Sequence, residues 1–273
     1  MLAYFEKTLN HKKLFLEAFS KYYDRVYKER LDISDYLNNV TCRWERFSWE
    51  NPYVLSVIHE AIGIDISLIN LINSIDRSTI TICAWNEILK EYNDDESFEL
   101  YCQFVESEVI LAADAPYKVK SRFTYLTAYI IHHCLNCIDD NRKEIFKENI
   151  YLSDLKSLLN NEHLPKISTN TNRLYDSIDL IFHNEFQSDS HNLRNREHHR
   201  DGSSFLTEYI VKVHEKLDSN RRKSYRLSVQ KPVTLDVLIN ALKKELKLCR
   251  QAYTEFEEFV TNAFENFEKY KVG

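Results

Sequence analysis

Residues that turn or break a polypeptide chain are scarce in this sequence. Its 273 residues include only 3 glycines and 4 prolines. A fold made of many short strands needs a turn roughly every eight to twelve residues. Glycine, proline and a few polar residues adopt those turns most easily. The scarcity therefore predicts an all-α protein built from long helices.

Apolar residues recur every three or four positions along most of the chain, which is the period of one helix face. The pattern predicts helices over residues 2–30, 52–75, 79–92, 97–113, 153–160 and 172–186. Pro116 is expected in the first turn of another helix, which ends at Asp139-Asp140-Asn141. The longest stripe starts after Thr234, a favourable N-cap, and continues to Phe267. We expect a helical bundle with a long C-terminal helix.

The simplest domain organisation is a single all-α domain over residues 1–273. No internal repeat, low-complexity tract or linker divides the sequence. Within that domain, residues 1–113 are expected to form an N-terminal helical sub-bundle, and residues 114–273 the remaining helices. The helical pattern breaks between Asp218 and Pro232, where residues 225–230 are expected to be briefly extended.

The overall charge argues against a uniformly basic protein. The chain has 36 lysines and arginines and 42 acidic residues, a formal net charge of −6. Any binding to RNA therefore has to depend on a local basic patch. The six cysteines are scattered, no secretory core begins the chain, and no apolar run approaches the roughly 18 to 20 residues of a membrane span. We expect a cytoplasmic protein with reduced thiols and no membrane partner.

One short segment concentrates side chains suited to RNA chemistry. The Arg/His segment, Arg194 to Arg200, contains three arginines and two histidines. A guanidinium binds phosphate through paired N–H donors, and an imidazole exchanges a proton near neutral pH. These groups suffice to cleave RNA without a metal ion, so neither a cofactor nor a metal site is expected.

The order Arg194-Asn195, three further residues and His199 resembles the signature of the HEPN superfamily of all-α domains. The resemblance extends to the predicted helical layout of residues 116–270. It implies metal-independent RNA cleavage at motifs that meet across a homodimer. It also implies that His199 takes the ribose 2′-hydroxyl proton or assists the leaving oxygen. Arg194 would then hold the scissile phosphate, and Asn195 would orient the site.

Two histidines are candidates for the catalytic position. On a regular helix, residues five apart differ by about 140° and residues four apart by about 40°. His198 therefore aligns with Arg194 better than His199 does if the helix continues unbroken. The resemblance favours His199, with the helix ending at Asp201-Gly202. Both assignments stay open.

Four further arginines are candidate substrate-binding residues. Arg196 and Arg200 flank the two histidines, and Arg221 and Arg222 form a second basic cluster. Positive charges beside His199 disfavour its imidazolium form, so the ring is expected to be a neutral base until an anionic phosphate binds. The second cluster widens the RNA footprint if it folds beside the segment; otherwise it is a solvated loop.

The Arg/His segment also has a simpler interpretation. Charged runs are often solvated helix ends, and Glu197 has Arg194 and Arg200 within pairing distance along a helix. The chain would then be a non-catalytic helical protein-interaction or RNA-binding module. The leading hypothesis is a homodimeric HEPN-type endoribonuclease of a toxin–antitoxin or antiphage system. Its partners would be an RNA substrate and a cognate antitoxin protein.

His132-His133-Cys134 and Cys137 have the residue types of a zinc site. A structural site usually has a second ligand pair at standard spacing, which the sequence lacks. Cys134 and Cys137 fall on the apolar stripe of their helix, so they are expected to be small core thiols.

Two further sets of residues have alternative interpretations. Glu60 and Asp65, in the helix after Pro52, either support the catalytic histidine or are ordinary helix-surface carboxylates. Aromatic residues interleave with basic ones at Arg43, Trp44, Arg46, Phe47 and Trp49. Such a pattern can stack bases, but aromatic residues at a helix end more commonly pack into the core.

Overall fold

The computed structural model describes residues 2–29, 37, 44, 52–138, 144–147, 149–190, 210–217, 223–230 and 233–270. Within these ranges helices predominate, and the strands form one two-stranded antiparallel sheet. The predicted all-α class is confirmed.

The helices agree with the predicted segments at most places. In chain order they are α1 (Leu2–Glu29), α2 (Pro52–Leu89), α3 (Asp94–Leu100), a π-helical turn (Tyr101–Val105), α4 (Glu106–Ile138), α5 (Leu152–Leu159), α6 (Leu164–Ile167), α7 (Thr171–Leu180), α8 (Asn184–Asp189) and α9 (Leu235–Tyr270). The strands β1 (Ile210–Leu217) and β2 (Lys223–Gln230) pair in the register Leu217 with Lys223. The extended stretch predicted at 225–230 is confirmed, whereas β1 was not predicted.

Polar side chains explain where three helices begin. The Asn93 side-chain oxygen accepts the N–H of Glu96 at 3.1 Å at the start of α3. The Asp154 carboxylate accepts the N–H of Tyr151 at 2.9 Å, closing the first turn of α5. Thr234 Oγ1 accepts the N–H of Val237 at 3.4 Å. These bonds satisfy donors that a first helical turn leaves unpaired. The predicted Thr234 cap is confirmed.

Two predicted helix breaks are absent. α2 continues from Pro52 to Leu89 without the interruption expected near residues 76–78. Pro116 lies inside α4 rather than at a helix start. Ala112 and Val119, on either side of this proline, are both 0% exposed. We attribute the continuous helix to this burial, which outweighs the cost of about 3 kcal/mol of an interior proline.

The helix predicted over residues 172–186 is broken into α7 and α8. Phe182 lies between them with a φ of 52°, in the left-handed region that β-carbon-bearing residues rarely adopt. Its backbone N–H donates to Glu245 Oε2 at 3.0 Å. Its ring also packs edge-on against Tyr117, with centroids 5.6 Å apart. Two residues distant in the sequence, Glu245 and Tyr117, therefore stabilise the turn at Phe182.

α2 is the one helix among the described residues that is long and apolar enough to cross a membrane by length and composition. Its most apolar 18-residue window has a mean hydropathy of 1.6, and 39% of that window is buried. The core helix of a soluble protein passes the same test. The apolar run itself is interrupted, because Asp65, Asp76 and Arg77 lie within the helix.

Backbone contacts group the chain into two units, each made of three stretches. The first unit comprises residues 1–31, 79–113 and 187–241. The second unit comprises residues 32–78, 114–186 and 242–273. The proposed sub-bundle of residues 1–113 stays a prediction.

Stacked aromatic rings form part of the core of the first unit. Trp85 stacks on Tyr22 and on Phe104, with ring centroids 5.0 and 4.9 Å away. Close by, Lys21 Nζ lies 3.1 Å from Glu91 Oε2. Aromatic pairs of this kind contribute about 0.5–1.5 kcal/mol beyond their buried area. They attach α1 to α2 and to the π-helical turn.

The second unit has a core in which α4 and α9 meet. Phe123 of α4 lies 5.9 Å from the Phe256 ring and 6.4 Å from the Tyr253 ring of α9. The buried apolar stripe of α9 continues through Phe259 and Phe264. The apolar stripe predicted for the C-terminal helix is therefore the face of α9 that packs into the core of the second unit.

Candidate functional site

The Arg/His segment begins a few residues after α8 in the chain. α8 ends at Asp189, the next residue Ser190 is buried, and the next described residue is Ile210, where β1 begins. Outside the described residues lie all the predicted catalytic and substrate-binding residues: Arg194, Asn195, Arg196, His198, His199, Arg200, Arg221 and Arg222. Their roles, and the choice between the two histidines, stay predictions.

Asp65 is a buried carboxylate, 2% exposed. Trp44 Nε1 donates to its Oδ2 at 3.0 Å, and the Tyr253 hydroxyl donates to its Oδ1 at 3.1 Å. A carboxylate in a protein interior needs such donors, because burial removes its hydration. The surface-carboxylate interpretation is therefore wrong for Asp65. It is correct for Glu60, which is exposed and accepts a hydrogen bond from the Tyr129 hydroxyl at 2.9 Å.

Trp44 packs into the core of the second unit. Its side chain is 2% exposed, and its ring meets Phe264 edge-on with centroids 5.5 Å apart. The core interpretation is confirmed for this tryptophan. The neighbouring residues Arg43, Arg46, Phe47 and Trp49 lie outside the described residues.

A cluster of histidine and tyrosine side chains joins α2 to α4 in the second unit. Tyr53 Oη is hydrogen-bonded to His133 Nδ1 at 2.6 Å. Tyr129 packs edge-on against His133, with ring centroids 4.3 Å apart. The adjacent His132 accepts a hydrogen bond at Nε2 from the Asn136 side-chain amide at 3.0 Å. We call Tyr53, Tyr129, His132 and His133 the His/Tyr cluster.

Burial favours the uncharged forms of three side chains of the His/Tyr cluster, His133, Tyr53 and Tyr129. The pKa of His133 is lowered from 6.5 to about 4, chiefly because burial removes the hydration of the imidazolium and secondarily because His132 is adjacent. Burial also raises the pKa of the Tyr53 and Tyr129 hydroxyls above 10.0. Near neutral pH, Tyr53, Tyr129 and His133 therefore provide hydrogen bonds and aromatic faces but neither a cation nor a phenolate.

A cleft with a volume of about 650 Å³ opens beside this cluster. Its lining comes from α4, from residues 144–147 and Ile150, and from α5 with the residues just after it. His132 contributes from α4, and the other polar lining residues are Glu144, Lys147, Asp154, Ser157, Asn160 and Asn161. The apolar lining residues are Ile145, Phe146, Ile150 and Leu158. Sites for small organic molecules typically have volumes of about 300–1,000 Å³.

The histidine–cysteine run does not form a ligand group. Cys134 is buried, and burial raises the pKa of its thiol above 9.0, as expected for a core thiol. Cys137 on the same helix is half-buried. Among the residues that the structure describes, no group of three or more histidine, cysteine or acidic side chains has metal-binding geometry.

Glu245 of α9 is a second buried carboxylate of this unit. Its side chain is 3% exposed, and burial raises its pKa from 4.5 to about 7. The Phe182 N–H and the positive charge of Lys120 oppose this rise, while the charge of Glu185 adds to it. Glu245 thus connects the break between α7 and α8 to α9.

In the sequence, His132 and His133 suggested only metal ligands, and no pattern indicated the cleft. A usable signal was present, because Tyr125, Tyr129, His132 and His133 follow one another at steps of four, three and one residues on α4. The other cleft residues lie in a short helix and irregular segments, where no periodicity marks them.

No protein-family model matches the chain, and no curated protein or solved structure is significantly similar to it.

Proposed function

We propose that the protein is a metal-independent endoribonuclease of HEPN type. The observation that carries this proposal is the order Arg194-Asn195, three residues, His199 in a chain whose described part is all-α. An arginine and a histidine at this spacing supply a phosphate ligand and a proton-transfer group, which RNA transesterification requires.

In the proposed reaction, His199 accepts the proton of the ribose 2′-hydroxyl, and the resulting oxygen nucleophile attacks the adjacent phosphorus. Arg194 binds the non-bridging oxygens and stabilises their developing charge. The P–O5′ bond breaks, and the leaving 5′-oxygen takes a proton from the protonated His199 or from water, which gives a 2′,3′-cyclic phosphate and a 5′-hydroxyl end. Asn195 orients the site, and His198 is the alternative base.

The basic residues near the motif support an RNA substrate. Arg196 and Arg200 belong to the segment itself, and Arg221 and Arg222 belong to the sequence that connects β1 to β2. Because the whole chain carries a net charge of −6, RNA affinity would depend on these local charges and fall as salt rises.

The proposal includes a cellular setting. The enzyme would be cytoplasmic and homodimeric, with the motifs of two copies forming one site. It would act in a toxin–antitoxin or antiphage system, opposed by an antitoxin protein.

The test is incubation of the purified protein with total RNA in the presence of a chelator. Arg194→Ala and His199→Ala should each lower cleavage at least about 100-fold, because each removes a group that acts in the transition state. Matched controls are Arg122→Ala and His59→Ala, both at exposed helix positions. The controls should retain wild-type activity, and circular dichroism should show that all four variants fold.

Other outcomes separate the alternatives. Loss of activity in His198→Ala but not in His199→Ala would assign the base to His198. Salt-dependent RNA binding without cleavage would identify an RNA-binding module. Full cleavage by both Arg194→Ala and His199→Ala would refute the mechanism, and a monomer by light scattering would refute the shared site.

A further inference from the structure

We propose that the cleft beside the His/Tyr cluster binds an uncharged heterocyclic molecule of nucleoside size. This inference goes beyond the ribonuclease proposal and does not depend on it, because every lining residue lies in the second unit and none belongs to the Arg/His segment. It rests on the size of the cleft, the fixed position of its aromatic wall, the hydroxyl and two carboxamides of its polar lining, and the sign of the charge of that lining.

The aromatic wall of the cleft is held in place. Phe146 lies among three rings of α4, with centroids 5.4 Å from Tyr125, 5.4 Å from Tyr129 and 5.3 Å from His132. His133 in turn is hydrogen-bonded to Tyr53 on α2. A side chain fixed from several directions is preorganised, so a flat ring that packs against it does not have to immobilise it on binding.

The polar lining favours groups that both donate and accept hydrogen bonds. Ser157 contributes a hydroxyl, and Asn160 and Asn161 contribute carboxamides at the C-terminal end of α5. The Asn161 side-chain oxygen accepts the N–H of His163 at 2.9 Å, which anchors that carboxamide. Carboxamides complement the amide-like edge of a heterocycle such as a nucleobase, because each has two N–H donors and an oxygen with two lone pairs. In Asn161 one of these lone pairs accepts the His163 N–H, and the other stays available.

The charge of the described lining disfavours a phosphorylated ligand. Among the described lining residues, Lys147 is the one lysine or arginine, and Glu144 and Asp154 are acidic. The charges of these three side chains sum to −1 at neutral pH. The C-terminal end of α5 adds partial negative charge. Phosphate would meet net repulsion at this lining, and an uncharged ring would not.

Two kinds of molecule carry such a heterocycle: a free nucleoside, and RNA with an unpaired base. The charge argument favours the free nucleoside. The test is saturation-transfer NMR of the full chain with adenosine, guanosine, cytidine and uridine, each compared with its 5′-monophosphate. At least one nucleoside should bind, roughly fivefold or more tightly than its monophosphate.

Two matched variants assign the binding to the cleft. Ser157→Phe places a ring in the lining at an exposed position of α5 and should abolish nucleoside binding. Ser153→Phe makes the same change at an exposed position of the same helix outside the lining, and should bind as wild type. Circular dichroism would verify that both variants fold.

A third variant tests the electrostatic argument. Glu144→Lys changes the summed charge of the three side chains from −1 to +1 and should reverse or abolish the preference for the nucleoside over the monophosphate. A short oligoribonucleotide should not displace a bound nucleoside. Binding of no nucleoside, binding unaffected by Ser157→Phe, a wild-type preference for monophosphates, or displacement by the oligoribonucleotide would each overturn the proposal.

Discussion

Replacement of Glu245 by glutamine is expected to stabilise the protein above pH 7. The folded-state pKa of this carboxyl is raised from 4.5 to about 7, with burial as the largest cause. Between these two pH values the folded chain keeps a proton that the unfolded chain has lost, so the free energy of unfolding falls as the pH rises. Above pH 7, ionisation of the buried Glu245 carboxyl therefore lowers the free energy of unfolding by about 3 kcal/mol.

The Glu245→Gln variant removes this titration and keeps the acceptor. Its amide oxygen can still accept the Phe182 N–H that Glu245 accepts at 3.0 Å. Urea denaturation of wild type and variant at several pH values between 4 and 8 would measure the difference. For a slope of about 3 kcal/mol per molar urea, the variant midpoint should lie up to about 1 M higher at pH 8. At pH 4 the two midpoints should nearly coincide.

Glu265→Gln is the matched control, since it makes the same change at an exposed position of the same helix. This control should follow the wild-type profile at every pH. Parallel profiles for wild type and Glu245→Gln would refute the reasoning, because they would show that Glu245 titrates alike in the folded and unfolded chains.

Substitutions at two further positions test the second unit. The pKa of His133 is lowered from 6.5 to about 4, so the unfolded chain binds a proton first as the pH falls, and stability is lost from 6.5 down to 4. His133→Gln should reduce that loss by up to about 2 kcal/mol in urea denaturation at pH 4.5 relative to pH 7; an unchanged pH profile would contradict the assignment. Asp65→Ala should cost about 2–4 kcal/mol, because the Trp44 and Tyr253 donors lose their shared acceptor. Asp65→Asn should cost less, since one acceptor oxygen is kept, and equal thermal unfolding temperatures for the two variants would argue against this account.

Local sequence patterns predicted most of the helices. The apolar stripe of α9 and the cap at Thr234 are properties of neighbouring residues, and both occur where expected. Helix continuity was harder to predict, because Pro116 and the residues near 76–78 favour breaks locally, but Pro116 and Ser78 are buried within helices that continue through them. At Phe182 the error was the opposite one. The apolar stripe of residues 172–186 predicted a continuous helix, but contacts of Phe182 with α9 and with Tyr117 stabilise a break there.

The two candidate sites also differ in whether local sequence patterns indicated them. The Arg/His segment was found from sequence because its residues are adjacent, and its chemistry depends on residue type and spacing. The cleft was not found, since its lining unites three segments whose polar residues have no common period.

The sequence by itself determined that this chain is helical and where its arginines and histidines concentrate, because helix period and residue chemistry are local. Only the tertiary structure decided which ionisable groups are buried. Asp65 meets Tyr253, and Glu245 meets Phe182, across 188 and 63 positions of the chain. A pKa depends on the hydration and the charges around a group, and these exist only once such distant residues have packed together.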